Sequence, residues 1–138
     1  MCNNIDKSLV VKFSEGIYGF ENLNEFVFYK TDDKNSPLTI MQSIDNPNIN
    51  FLVIPPTLID PNYEIELDSV DINDMGIKSE EEVVVLAILT VMQSEQFISA
   101  NLKSPIIFSL KSKLGKQIIF DDSKYKTKHI VKIENMGN

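Results

Sequence analysis

The sequence predicts an all-β protein, an antiparallel barrel or sandwich, organised as a single domain over residues 1–138 with an ordered core of about residues 8–133. Short runs rich in Val, Ile and Phe recur along the chain, and turn-forming residues separate them. No internal repeat or low-complexity tract divides the sequence. A chain of 138 residues is also long enough to bury a core of its own.

About ten strands are expected, each a β-branched or aromatic run that ends at a turn signal. The turn chemistry lies in TDDKNSP at 31–37, DNPN at 45–48, PP at 55–56, DPN at 60–62 and DDSK at 121–124. The predicted strands span residues 9–13, 26–30, 38–43, 51–54, 63–67, 83–92, 97–102, 106–110, 117–120 and 129–133.

The stretch SEEEVVVLAILTVM, which begins at Ser79, contains two signals. Ser79 followed three positions later by Glu82 fits a helical capping box. The β-branched run that follows favours a buried strand. We therefore expect a short helical turn that leads into a long strand, and at most one or two such turns in the whole chain.

Composition indicates a protein of the reducing cytoplasm without a membrane segment. The single cysteine, Cys2, cannot form an internal disulfide. No export signal is visible at the N-terminus. The longest apolar run, residues 83–92, is about half the length that a bilayer span requires. The net charge of −7 argues against a general affinity for nucleic-acid backbones.

Acidic residues are concentrated between positions 60 and 82. In YEIELD, at 63–68, Tyr63 and two aliphatic residues alternate with Glu64, Glu66 and Asp68. On a strand this alternation turns the carboxylates outward and the apolar side chains toward the core. The outward row is either a solvated face that protects a sheet edge or a surface for a basic partner.

No pattern predicts a catalytic residue, a metal ligand or a cofactor site. Residues 71–82 resemble a calcium-binding loop, but Met75 stands where such a loop needs an oxygen ligand. The lone histidine, His129, lies in a strand-like run without a nucleophile motif. One Cys and one His cannot supply a structural zinc tetrad.

A Lys-rich C-terminal third favours an alternative function, an RNA-binding β-barrel that acts directly. Cationic side chains with interleaved aromatic residues are typical of single-strand binding. Phe120 and Tyr125 are the aromatic residues in this part of the chain. The lysines are Lys111, Lys113, Lys116, Lys124, Lys126, Lys128 and Lys132.

The stretch FSEGIYGFE, residues 13–21, places Gly16 and Gly19 three apart. Glu15 and Glu21 flank the glycines and oppose a phosphate-binding or RNA-clamping function. The glycines instead permit positive φ in a tight turn, with Phe20 among its apolar anchors.

That stretch, followed by LTIMQSIDNPNINFLVIPP, ANLKSPIIF and GKQIIFDDSKYKTKH, resembles the FliW family of flagellar assembly factors in order and spacing, from about residue 13 to residue 129. Ser14 and Tyr18 stand where the family usually has prolines, and Ser104 where it often has alanine. The positions that match the family signature are Gly16, Gly19, Phe20, Gln42, Asn101, Pro105 and Gln117. Whether they serve folding or contact stays open.

The resemblance implies a compact, strongly twisted antiparallel β-barrel-like domain with a non-enzymatic, cytoplasmic role. It also implies two protein partners, flagellin and the translational regulator CsrA. Antagonism of CsrA by such a protein would couple flagellin synthesis to secretion. We expect a monomer on its own, with no direct contact to nucleic acid or membrane.

We hypothesise that the acidic residues form the surface for CsrA, which must be basic to hold mRNA. For flagellin, whose amphipathic ends need an apolar groove, the expected sites are the neighbourhood of Phe20, Phe26 and Phe28 or the edge at residues 101–105. The predicted partner-binding set is Asp60, Glu64, Glu66, Asp68, Asp71 and Asp74.

Overall fold

The computed structural model describes residues 9–31, 35–92, 97–121 and 124–132. The strands are β1 Val10–Phe13, β2 Glu25–Lys30, β3 Thr39–Ser43, β4 Asn50–Ile54, β5 Val83–Met92, β6 Phe97–Ser109, β7 Leu114–Gln117 and β8 His129–Lys132. One helix, α1, spans Ser69–Asp74, and the 3-10 turns Pro56–Leu58 and Glu80–Glu82 complete the assigned elements of these residues.

Seven strands close into a barrel in the order β5-β4-β3-β2-β1-β7-β6, and β6 pairs back onto β5. Strand β8 adds to β6 beyond β7. The pairings are antiparallel except that of β1 with β7, where Lys12 lies opposite Leu114 in parallel register. The predicted all-β barrel is thus confirmed, and the sandwich alternative was wrong. The parallel pair is a departure from the purely antiparallel expectation.

The interior of the barrel is filled by alternate side chains of the strands. Phe26 and Phe28 of β2, two residues apart, are both fully buried, as the period of a strand requires. Their rings meet those of Phe13 and Phe108, at centroid distances of 5.7 Å for Phe13–Phe26 and 4.9 Å for Phe28–Phe108. Burial of each such ring stabilises the fold by roughly 1.5–3 kcal/mol.

Strand β6 unites two predicted strands, 97–102 and 106–110, which was an error of the sequence prediction. Its register against β5 slips between Asn101 and Ile106, so that β6 bulges outward there. The Asn101 side chain accepts the Ser104 N–H at 2.9 Å inside this bulge. Pro105, which has no N–H to offer a ladder, ends it. The bulge breaks the alternation, and that break looked like a strand end in the sequence.

A second apolar cluster lies on the outer face of the sheet, separate from the barrel interior. It contains Ala87 and Leu89 of β5 and Ala100 and Leu102 of β6, together with Tyr63 from the chain segment that follows β4. The division on β5 follows the alternation of the strand, because Val84, Leu86 and Ile88 belong to or pack against the interior cluster, whereas Ala87 and Leu89 lie on the opposite face. Residues 55–68 therefore cover a sheet face.

Further expectations need correction or qualification. Residues 63–67, predicted as a strand, belong to none of the assigned strands of the described chain. The strand predicted at 117–120 is instead β7, Leu114–Gln117. Helix α1 was not predicted. Residues 8 and 133, the expected limits of the ordered core, lie outside the described residues.

The helical turn before β5 is confirmed. Ser79 is its N-cap, and the reciprocal hydrogen bonds of a capping box with Glu82 are both present. Strand β5 then runs from Val83 to Met92 as expected.

Candidate partner-binding site

Residues 63–68, here called the acidic strap, cross the outer face of the barrel. Tyr63 is buried, with 7% of its surface exposed, whereas Glu64, Glu66 and Asp68 are exposed. Ile65, between the two glutamates, is half-buried and packs on the outer cluster. The predicted alternation of inward apolar and outward acidic side chains is therefore present, although the strap is not a strand.

Two tyrosines fasten the strap to the barrel. The Tyr63 hydroxyl donates to the carbonyl of Leu102 in the β6 bulge at 2.8 Å, and the Glu64 N–H donates to the Tyr125 hydroxyl at 2.8 Å. The two rings lie 4.5 Å apart between centroids. Burial, and secondarily the nearby Tyr125, raises the pKa of Tyr63 well above its usual value. The strap is thus a fixed part of the surface.

Helix α1 continues directly from the strap. Asp68 caps it, because its carboxylate accepts the Asp71 N–H at 2.8 Å. Lys116 of β7 ties the helix down through ion pairs to Asp71 at 2.9 Å and Asp74 at 2.8 Å. Hydrogen bonds to Asp74 and then Asp71 raise the pKa of Lys116 above its usual range.

The predicted acidic set therefore divides by environment. Asp71 and Asp74 are paired with a lysine, and Asp68 caps the helix. Asp60 lies half-buried in a turn, where its carboxylate accepts the Asn62 N–H at 3.0 Å. Glu64 and Glu66 present their carboxylates to solvent.

Two open depressions share Ile65 and Glu66 as lining residues. The first, of about 400 Å³, is lined by Glu64, Ile65, Glu66, Phe120, Lys124 and Tyr125. The second, of about 490 Å³, is lined by Ile65, Glu66, Leu67, Ile72, Ile77, Glu80, Val83 and Val85. The strap thus combines exposed carboxylates with one mixed and one mainly aliphatic depression, both of the size that ligand and peptide anchors occupy.

The segment that resembles a calcium loop is used differently here. Met75 is buried, and the Glu82 carboxylate is 2.5 Å from the Ser109 hydroxyl, which donates to it. The Lys78 and Ser79 N–H groups donate to the other Glu82 oxygen at 3.0 and 3.1 Å. The Ser109 bond, aided by these N–H groups, lowers the pKa of Glu82. No group of three or more His, Cys, Asp or Glu side chains able to hold a metal occurs among the described residues.

The signature positions lie mainly in turns and bulges. Gly16 has φ +69°, and a Cβ there would come within 2.6 Å of the backbone of Glu21. The Gln117 side chain accepts the Tyr18 N–H at 2.8 Å and donates to the Ser104 carbonyl at 3.1 Å, so it joins the first turn to the β6 bulge.

Two other signature positions also bind within the chain. The Gln42 amide donates to the Pro47 carbonyl at 2.9 Å and so closes the β3–β4 hairpin loop. Phe20 is 36% exposed, and its ring contacts that of Phe51 at 5.5 Å. Among the signature positions, Phe20 is the one with a substantially exposed apolar side chain.

The C-terminal lysines belong to several different elements of the described chain. Lys116 is engaged by helix α1, and Lys111 and Lys113 follow the end of β6. Lys126 lies beside the middle of β6, where its carbonyl accepts the N–H groups of Leu102 and Lys103. Lys116 is therefore engaged within the chain and is not free for the alternative RNA-binding function.

The sequence analysis missed the apolar half of the site. Ile72 and Ile77 come from the helix and the loop after it, and Val83 and Val85 come from the outer face of β5. The alternation of β5 carried a signal, since inward Val84 and Leu86 imply that the valines at 83 and 85 face outward.

Fold and site together define a small closed β-barrel whose outer sheet face carries an acidic strap. None of the helices within residues 9–31, 35–92, 97–121 and 124–132 is long and apolar enough to cross a bilayer. A comparison with known families identifies this barrel more narrowly: the family model described as FliW protein matches residues 2–131.

Similar proteins agree with that match. A flagellar assembly factor FliW of Clostridium botulinum (strain Hall) is 37% identical over 128 residues, which cover 93% of this chain and 89% of that protein. One from Geobacillus sp. (strain WCH70) is 38% identical over 126 residues, 91% of this chain and 86% of its own. A crystal structure of the flagellar assembly factor FliW superposes with a TM-score of 0.80 at 36% identity, over 91% of this chain and 87% of that one. The chain belongs to the FliW family, so the resemblance inferred from its sequence is confirmed.

Proposed function

We propose that this chain is a cytoplasmic flagellar assembly factor that acts by protein–protein binding, with flagellin and CsrA as its partners. In this proposal it antagonises CsrA until newly made flagellin occupies it, and so couples flagellin synthesis to secretion. The observation that carries the proposal is the pair of exposed glutamates, Glu64 and Glu66, on a rigid strap of a FliW-family barrel.

The electrostatic argument concerns CsrA. A protein that holds mRNA must carry basic side chains, and an acidic surface both accelerates its encounter and competes with RNA for them. Glu64 is placed for this by the Tyr125 hydroxyl, which binds its backbone N–H. Because Asp71 and Asp74 already pair with Lys116, we expect them to contribute less to the encounter than Glu64 and Glu66.

Flagellin calls for an apolar surface, and the expected sites need revision. Phe26 and Phe28 are fully buried in the barrel, so they cannot contact a partner. The edge at residues 101–105 is covered by the chain itself, since the carbonyl of Lys126 accepts the N–H groups at 102 and 103. Phe20, with Tyr18 at 59% exposure beside it, is the remaining candidate from the original set.

We infer that the chain performs no catalysis. Its relatives are named as assembly factors, and its lone histidine, His129, pairs with Ala100 in the ladder between β8 and β6. The proposed output is set by competition between two binding equilibria.

The test is a binding experiment with purified CsrA and purified flagellin from the same organism. Both should bind the intact chain, and flagellin should release CsrA. Replacement of Glu64 and Glu66 by Lys should slow association with CsrA at low salt and have a smaller effect at high salt. The matched control replaces Glu15 and Glu25, which are also exposed, and changes the net charge by the same amount.

Two outcomes would contradict the proposal. Equal association rates for the strap and control variants would remove the strap from the CsrA interface. A shift of flagellin leader RNA by the chain without CsrA would favour direct binding through the lysines instead.

A further inference from the structure

The depression between the strap, helix α1 and the start of β5 has an apolar floor and an acidic rim. Its volume is about 490 Å³, and its apolar lining comes from Ile65, Leu67, Ile72, Ile77, Val83 and Val85. Among the residues that the structure describes, its polar lining comes from Glu66 and Glu80. We call it the strap groove.

The walls of the groove are held by contacts at a distance from it. The Ser112 hydroxyl donates to the Met75 carbonyl at 2.6 Å, and this bond fixes the end of α1 against the β6–β7 turn. The N–H of Ile77 donates to the carbonyl of Ile72 at 3.0 Å, which sets those two side chains on one turn of chain. Val83 and Val85 stand on a strand of the barrel. The groove is therefore preformed, which lowers the entropic cost of filling it.

The lining chemistry restricts the occupant. A polar small molecule would need convergent donors and acceptors, whereas the side chains that line this groove are aliphatic apart from two glutamates. Glu81 and Asp68 are also exposed beside it, so the rim is acidic apart from Lys78. A second copy of this chain, with a net charge of −7, would bring like charges together, and an anionic lipid surface would be repelled.

We propose that the strap groove binds an amphipathic helical segment of a partner protein, with an apolar stripe seated on the groove floor and Lys or Arg residues on its flanks. The positive flanks meet Glu66 and Glu80, and the stripe covers the half-exposed aliphatic floor. This goes beyond the proposed function, because it specifies a binding mode and requires neither named partner.

The experiment uses the full chain and a fluorescein-labelled synthetic peptide of roughly 15 residues, long enough for about four helical turns. The peptide carries Leu at the spacing i, i+3, i+4, i+7 and Lys on the flanking positions, and a second peptide carries Glu in place of each Lys. Fluorescence anisotropy measures the dissociation constant of each. The lysine peptide should bind and the glutamate peptide should bind at least about tenfold more weakly.

Variants of the chain distinguish binding in the groove from non-specific electrostatic attraction of the peptide to an acidic protein. Ile72→Gln places an amide in the groove and should weaken binding of the lysine peptide roughly tenfold. Val70→Gln lies on the same helix but outside the groove, where Val70 is 61% exposed, and should leave the affinity unchanged. Glu80→Lys should weaken binding more than Glu81→Lys, which makes the same change of net charge one residue away. Circular dichroism and the thermal midpoint confirm that each variant is folded.

Equal affinities for the two members of each variant pair would overturn the proposal, as would equal binding of the two peptides. Loss of binding in a Glu64→Lys variant with Ile72→Gln unaffected would assign the peptide to the other depression and also refute it. If CsrA and flagellin bind the chain but the groove variants do not change the dissociation constant of either peptide, the proposed function stands and the groove proposal fails.

Discussion

The loss of one hydroxyl tests how the acidic strap is held. The substitution Tyr125→Phe keeps the ring, which is 7% exposed and lies 4.5 Å from that of Tyr63, and removes the acceptor of the Glu64 N–H. One hydrogen bond of this kind contributes about 1 kcal/mol to the free energy of unfolding. For a domain of this size the midpoint of thermal unfolding should fall by roughly 3–4 °C.

Two measurements apply to this variant. Urea unfolding followed by fluorescence gives the change in free energy, with Tyr18→Phe as the control because that ring is 59% exposed. Amide hydrogen exchange gives the local effect, and exchange at the Glu64 N–H should accelerate roughly fivefold, the equivalent of about 1 kcal/mol. Unchanged stability together with unchanged exchange at Glu64 would refute the role assigned to Tyr125.

Three further outcomes are expected. Because hydrogen bonds lower the pKa of Glu82 from 4.5, its charged form stabilises the fold above pH 4.5, and this contribution is lost as the pH falls through the folded pKa. In Glu82→Gln, the free energy of unfolding should therefore decrease less steeply as the pH is lowered below 4.5, as measured by unfolding at a series of pH values. Gly16→Ala should destabilise by roughly 1–3 kcal/mol in urea titrations, more than Gly19→Ala, since both have positive φ but only the first meets backbone, at 2.6 Å. Lys116→Met should raise the hydrogen exchange rate of α1 amides and cost about 0.5–1 kcal/mol, and no change in exchange would show that the ion pairs do not hold the helix.

Much of the fold could be predicted because the strands bury alternate residues. The period of two in EFVFYK places Phe26 and Phe28 inside, and the structure agrees. Periodicity does not reveal which segments pair. Residues 63–67 have the strand pattern, but their alternation comes from lying against an apolar face without joining its ladder.

Other elements escaped prediction for local reasons. Helix α1 is six residues long and has β-branched and Asp side chains, so its propensity is low, and its cap at Asp68 gave the only start signal. Strand β7 includes Gly115, a poor strand former, which is required because a Cβ there would lie 2.6 Å from the Phe13 ring. That requirement is visible only in three dimensions.

The candidate site was predicted in part. The outward direction of Glu64 and Glu66 follows from the sequence alone. The pairing of Asp71 and Asp74 with a lysine does not, because their shared partner, Lys116, lies more than forty residues along the chain. The apolar groove could not be predicted, because the sequence does not show that α1 and β5 meet beside the strap.

The proposal that CsrA binds on the strap face can be tested by hydrogen exchange of the full chain with and without CsrA. We expect slowed exchange in residues 63–68, in α1 and at the start of β5, with little change in the loop around Tyr18 and Phe20. Protection confined to that loop or to the C-terminal lysines, with the strap unaffected, would contradict the claim.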